Sequence, residues 1–247
     1  MVLELDRLDE IGELFDLPIA GEFIAYNDTL LMYMTVVLRS LGDSGKLSEA
    51  DSAHLAEISR RLKRNAELSS ALSSERSEYD YTYMDMGAFL SEFAEMSGAN
   101  TDGRLCVKLK SAEECSIWAE KEMLMLILLG YIRHILASSA DQSAELFLDG
   151  SCGEDGEYII HLECGDSFAR KPESSIAASP EFFDRYTVEM CILLARRANM
   201  EMTAGEDGME LRIKPAKGRE KPHMSEDFIA LSDEDISPYE LLLSDIF

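Results

Sequence analysis

Basic residues are scarce in this chain. Its 247 residues carry 23 Lys and Arg against 48 Asp and Glu, a formal net charge of −25 at pH 7. A surface of that sign repels the phosphates that a nucleic-acid binder must neutralise and the anionic lipids that a peripheral protein must approach, so neither nucleic acid nor membrane is expected as a partner. Long apolar runs are missing too: the longest, Met123 to Leu129, falls far short of the ~18 residues a spanning helix needs. Met1 is followed by Val-Leu-Glu-Leu-Asp and not by a basic, then apolar leader, so a cytoplasmic location is expected. The five cysteines, Cys106, Cys115, Cys152, Cys164 and Cys191, are odd in number and scattered, without a C-x-x-C pair. A zinc site needs clustered ligands and a secreted disulfide framework an even set, which leaves free thiols in a reducing compartment and no metal site. P-loops, serine-nucleophile motifs and H-E-x-x-H are absent as well.

What is present is apolar material, 46% of the residues, enough for one large domain or two small ones. From Ile19 to Leu41 the residues Phe23, Leu30, Met34, Val37 and Leu41 fall three, four or seven apart, one stripe of a helix. Gly42-Asp43-Ser44-Gly45 breaks it, and Ser48-Glu49-Ala50-Asp51 can cap a second helix with the stripe Leu55, Ile58, Leu62, Ala66 and Leu72. Two helices of roughly 35 Å joined so briefly lie antiparallel, and a pair of such hairpins forming a dimeric four-helix bundle covers the seams that one leaves open. Leu3 to Phe15 can add a short helix. The one dense basic run, Arg60-Arg61-Leu62-Lys63-Arg64, reads as a solvated helix face, with an acidic partner or an intrachain acidic surface as the alternative.

A Ser-rich stretch, Ser69 to Ser77, is the expected hinge. Beyond it Asp85 can cap a helix over Met86–Met96, and Leu105 to Leu109 alternates as a strand after the turn Thr101-Asp102-Gly103. Trp118 to Leu136 reads as a long, nearly all-apolar helix. Strands follow at Ala144–Leu148 and Tyr158–Cys164, separated by Asp149-Gly150 through Asp155-Gly156. A helix over Phe182–Ala198 leads to a hairpin of Met200–Thr203 and Met209–Ile213 around Gly205 to Gly208. The expected fold class is therefore α+β: a helical hairpin forming a dimeric four-helix bundle, then a two-layer α/β sandwich. Its parts are a helical segment (1–18), the hairpin (19–77), the sandwich (78–216) and a tail (217–247). From Glu220 to Phe247 the tail has eight acidic residues and one lysine, a net −7, yet also Phe228, Ile229, Tyr239, Leu241, Leu242, Leu243 and Phe247. Such apolar content suits docking on its own domain or on a partner.

This order of elements, from roughly Ile19 to Pro215, resembles the cytoplasmic core of a sensor histidine kinase: a dimerisation and phosphoacceptor hairpin, then an ATP-binding domain of the Bergerat type. Each motif departs from the family at its chemistry. In Ala25-Tyr26-Asn27-Asp28-Thr29-Leu30, Asn27 stands where the phosphoacceptor His would, and an amide cannot accept a phosphoryl group as an imidazole does. Ile127 to Leu136 resembles the N-box helix, with Gly130 and His134 at its two asparagine positions, so the oxygen ligands that Mg²⁺ prefers are lost. Glu163-Cys164-Gly165-Asp166-Ser167 is similar to a remnant of the adenine-binding D-x-G-x-G, with an acid one methylene too long. Glu189-Met190-Cys191-Ile192 fills the place of the later G-x-G, and Glu189 would repel phosphate.

The resemblance thus implies a vestigial pocket of Gly130, His134, Glu163, Gly165 and Glu189, with no catalytic residue, metal or cofactor. The expectation is a non-catalytic regulatory or scaffolding protein, not an enzyme, that acts as a homodimer and binds a response-regulator receiver domain or a histidine kinase through its bundle. One alternative is a histidine phosphotransferase, for which His54 on the second hairpin helix is the sole candidate. Another is a pocket reshaped for a nucleotide or small ligand.

Overall fold

The computed structural model describes residues 26, 29–34, 36–39, 48–73, 81–99, 101, 103–141, 143–153, 156–177, 182–205, 208–215 and 237–243. The chain divides into two compact units, Leu3–Ser73 and Ser74–Phe247. In the first, Ser48 opens α1 (Glu49–Ser73) by accepting the Asp51 N–H at 3.1 Å, with Glu49 and Asp51 in the first turn where unpaired N–H groups favour negative charge. Ile58 from the expected stripe is 2% exposed. Residues 26, 29–34 and 36–39 are helical and Leu30 is buried, as the stripe predicts. α1 runs on to Ser73, so the first part of the expected hinge is helix, because serine carries only a small helix penalty in a long helix. The basic run is not a uniform solvated face: Arg60 and Arg61 reach Glu57 at 3.3 and 2.6 Å, whereas Arg64 is buried. The expected helix at Leu3–Phe15 and residue Asn27 lie outside the described residues.

The second unit carries β1 (Tyr81–Asp85), α2 (Met86–Ala99), β2 (Leu105–Ala112), β3 (Ser116–Glu120), α3 (Lys121–Ser138), β4 (Ala144–Cys152), β5 (Tyr158–Cys164), α4 (Glu173–Ala177), α5 (Phe182–Arg197), β6 (Met200–Ala204), β7 (Gly208–Ile213) and α6 (Pro238–Leu243). The main sheet has the order β2-β4-β5-β7-β6; β2 and β4 are parallel, joined through β3 and α3, and the remaining pairs are antiparallel. Period-two alternation sends Leu146, Leu148, Ile160, Leu162, Leu211 and Ile213 to a buried face. There α2 packs on β2 and β4, while α5 packs on β6 and α3. The opposite face is laced with ion pairs, among them Lys108 with Glu145 and Arg212 with Glu210. The core centres on α3, in which Leu124, Ile127, Leu128, Leu129, Ile132 and Ile135 are all fully buried. Among the described residues no helix is long and apolar enough to cross a membrane.

Two expectations change. Trp118–Glu120 is not the start of the long helix but part of strand β3, paired antiparallel with β1 in a two-stranded ribbon. The helix begins only where the Glu120 carboxylate caps the Met123 N–H. Asp149-Gly150 is not a turn: β4 continues to Cys152, and Gly150 pairs with Ile160 because a Cβ there would collide with the Tyr158 hydroxyl and Leu90. The turn falls later, around Gly156 with its positive φ of 76°. Part of the tail is the helix α6, docked on its own unit, one of the two placements its apolar content suits. Asp85 does cap α2 as expected, accepting the Ala88 N–H at 3.1 Å.

Candidate functional site

Helix α3 is apolar from Met123 to Ile132 apart from Gly130 and the Tyr131 hydroxyl, and then presents two basic side chains in succession, Arg133 and His134. Arg133 is 1% exposed, so it must be fully paired to be tolerated. Its Nε donates to Asp184 Oδ1 of α5 at 2.9 Å and its Nη1 to the Leu242 carbonyl of α6 at 2.9 Å. The next side chain, His134, has a buried Nδ1 without a hydrogen-bond partner. Burial, and then the Arg170 guanidinium, pushes the imidazole down to about 4, partly opposed by Asp184. At neutral pH it is an uncharged ring lying 6.0 Å from that of Tyr131.

The segment after β5 closes over the end of α3. Ala140 N–H donates to the Ala169 carbonyl and Lys171 N–H to that of Ser138, both at 2.7 Å, while Lys171 Nζ caps the Ala137 carbonyl at 3.0 Å. A cation on the last carbonyls complements the helix dipole, and this strap sets Arg170 beside His134. Gly130 is one of the buried α3 residues. A Cβ on it would stand 2.7 Å from Cys191 Sγ and 3.8 Å from Thr187 Cγ2, so its role here is the close crossing of α3 and α5. The Cys191 thiol lies 3.5 Å from the Ile127 carbonyl, and burial followed by the Glu189 carboxylate holds it protonated. Glu189 is half-buried on α5, and desolvation raises its pKa.

Of the expected pocket residues, Gly130, His134 and Glu189 lie on the two packed helices α3 and α5. Glu163 does not join them. It alternates with buried Leu162, faces the exposed side of the sheet and pairs with Lys110 at 3.2 Å. The inward position beside it is Cys164. Gly165 follows β5, with its N–H on the Glu145 carbonyl at 2.8 Å and its carbonyl accepting the Phe168 N–H at 2.9 Å, so it serves a turn. Arg133, Asp184 and Arg170 were not singled out from the sequence; the one available signal was a guanidinium set inside an otherwise apolar helix.

These groups can hold α3, α5 and α6 together, but they make a poor metal centre. The carboxylate of Asp184 is committed to Arg133, the imidazole is neutral, and Arg170 repels cations. Among the described residues no group of three or more His, Cys, Asp or Glu side chains is placed to hold a metal ion. α6 closes the helical layer: Leu242 and Leu243 are fully buried, the Tyr239 ring sits 6.0 Å from that of Phe93 of α2, and its hydroxyl is 3.7 Å from Met125 Sδ. In the first unit His54 is exposed on α1, with its ring edge-on to Tyr33 at 6.5 Å.

No family model and no curated protein matches the sequence. Solved structures do match. The Acinetobacter baumannii histidine kinase AdeS aligns with a TM-score of 0.57 at 13% identity, over 76% of this chain and 95% of that one. Histidine kinase ThkA in complex with the response regulator protein TrrA aligns with a TM-score of 0.52 at 12% identity, over 84% of this chain and 62% of that one. The likeness is one of fold: the chain has a histidine-kinase-like core of mixed α and β, including the sheet-containing ATPase-like fold.

Proposed function

We propose that the chain is a non-catalytic, histidine-kinase-like regulatory or scaffolding protein of two-component-type signalling, which binds a receiver domain or a histidine kinase through a dimeric helical bundle. The observation that carries this reading is the absence of oxygen ligands at the two N-box positions. Gly130 offers only a close helix contact and His134 a buried neutral imidazole beside Arg170, so neither supplies Mg²⁺ with an oxygen. A dimeric bundle is supported by the apolar surface of the first hairpin helix, where Leu31, Met32, Tyr33, Val36 and Leu38 are 45% to 56% exposed. A receiver partner is supported by the fold shared with ThkA, whose structure was solved with a response regulator.

Calorimetric titration of the full chain with Mg-ATP and with ADP tests the non-catalytic half. No heat at millimolar ligand is expected, and Mg-dependent binding or transfer of the γ-phosphate to the protein would overturn it. A pull-down identified by mass spectrometry tests the partner half, with a receiver-domain protein or a kinase as the expected capture. One specific observation favours a second reading, phosphotransfer: His54 is exposed and therefore reachable. Incubation with a phosphorylated receiver domain decides it, because phosphate uptake that His54→Ala abolishes would establish the relay, and uptake that survives the substitution would exclude His54.

A further inference from the structure

Strands β1 and β3 form a ribbon of their own, and among the described residues no third strand pairs with either. Alternation along the pair gives it two faces. On one, Met84, Ile117 and Ala119 are buried. On the other, the register sets Tyr83 opposite Trp118, with ring centroids 5.4 Å apart and planes tilted by 50°. Tyr83 is 63% exposed, the most exposed of the large apolar side chains described, and Trp118 is half-buried. Thr82 and Tyr83 point to opposite faces and are both exposed, so β1 is the open edge of the ribbon. β3 is the covered one, with Ile117, Ala119 and Glu120 buried. The ribbon is fixed at both ends: the Tyr81 hydroxyl donates to the Ala198 carbonyl at 3.4 Å, and Met86 N–H to the Cys115 carbonyl at 2.9 Å. A free strand edge beside exposed rings suits the addition of a further strand, whose main chain pairs with the edge while its side chains meet the rings.

Charge selects the occupant. Tyr81–Asp85 and Glu113–Glu120 together hold four carboxylates and no Lys or Arg. Glu120 is buried as the cap of α3, but Asp85, Glu113 and Glu114 are exposed. The pairing of Asp85 with Ser116 sets the loop that carries Glu113 and Glu114 beside the end of β1. Ring faces and carboxylates attract the same kind of group, a cation. A second copy of the chain brings the same carboxylates and a net charge of −25, and is repelled. We propose that the open edge of β1 docks an extended, basic segment of a partner protein, which adds a strand beside β1, lays an arginine or lysine on the Tyr83 ring and directs its other cations to Asp85 and Glu114. This surface belongs to the second unit and not to the hairpin, so it goes beyond the regulatory reading and does not depend on it. Main-chain pairing along an edge is indifferent to sequence, which leaves selectivity to the cation. Arginine, planar and less hydrated than an ammonium, stacks on a ring the better of the two.

The test titrates the full chain with end-blocked peptides that alternate valine with arginine, glutamine or glutamate. Trp118 is the one tryptophan of the chain, so its fluorescence reads binding at the ribbon itself. The arginine peptide should give a saturable change below about 1 mM, and the other two none. Its affinity should fall as salt is added, and by about threefold in Tyr83→Ala, the loss of one exposed cation–ring contact. Glu114→Gln should weaken it as well. Asp166→Asn removes an equal charge from an exposed position past the far end of β5, and should leave the affinity unchanged. A glutamine peptide that binds as tightly would make the edge an apolar site, and equal losses in Asp166→Asn and Glu114→Gln would reduce the effect to the overall charge of the chain. A Trp118 signal that changes with protein concentration alone would assign the edge to a second copy, and no change at millimolar peptide would leave no site at all; each of these overturns the proposal. If Tyr83→Ala fails to fold, the peptide series and Glu114→Gln decide.

Discussion

His134 is the residue through which pH acts most directly on this fold. Burial holds its folded pKa near 4, against an ordinary value of 6.5. Between those values the unfolded chain binds a proton that the folded chain refuses, so stability rises with pH from about 4 to about 6.5 and is lost on acidification through that window. The difference amounts to at most about 3 kcal/mol. His134→Gln, which cannot titrate, should flatten that part of the stability profile. The measurement is Tm of both proteins between about pH 4.5 and 7, and parallel profiles would show that the imidazole does not titrate as described. Gly130 permits an equally local test. Alanine there gains helix propensity but meets Cys191 Sγ at 2.7 Å, and in a close-packed interior the clash wins, costing about 1–2 kcal/mol. With Cys191→Ala already in place the sulfur is gone, and the same Gly130→Ala change should become neutral or stabilising. A denaturant-unfolding double-mutant cycle reads that change of sign.

At the scale of elements, α6 is held by two buried leucines, Tyr239 and one charged hydrogen bond from Arg133. Truncation after Ala216 exposes its seat on α2 and α3 and should lower stability by about 2–4 kcal/mol, after the entropy regained by the tail is set against the lost burial. Arg133→Ala leaves the Leu242 carbonyl and the Asp184 carboxylate short of a partner and should cost about 3 kcal/mol. Because part of that cost runs through α6, the two changes combined should cost less than their sum in chemical denaturation; strict additivity would mean that Arg133 stabilises the fold without α6. Much of this layer was legible beforehand. The Asp85 cap, the alternation of Tyr158–Cys164 and the turn between β6 and β7 are local signals, and each gave its element. β3 was misread because Trp118 and Ala119 are joined to Met123 through Glu120-Lys121-Glu122, three good helix formers with no breaker among them, and only pairing with β1 makes them a strand. Gly150 misled for the opposite reason: a glycine needed for close approach to Tyr158 and Leu90 reads, in sequence, like a turn. Glu163 was assigned to the pocket by its distance from Gly165, whereas the parity of β5 turns it to the other face.

For the whole molecule the deciding quantity is charge. A chain of net charge −25 repels its own copy, while the association proposed for the hairpin rests on apolar side chains such as Met32 and Val36 that are about half exposed. Hydrophobic contact is little affected by moderate salt, whereas repulsion between surfaces is screened once the Debye length falls from about 30 Å at 0.01 M to about 8 Å at 0.15 M. The dimer should therefore tighten as salt is added. Sedimentation equilibrium at these two ionic strengths is expected to show a larger dimer fraction at the higher one. Val36→Asp, which puts a charge on the apolar helix surface, should shift the chain toward monomer at both while leaving Tm within a few degrees, since Val36 is exposed and buries little within its own chain. A dimer that dissolves as salt rises would assign the interface to ion pairs, and one that ignores Val36→Asp would place it away from this helix. In the second case the first hairpin helix of each copy would be left free for a receiver domain, and the scaffold would be bivalent without a dimeric bundle.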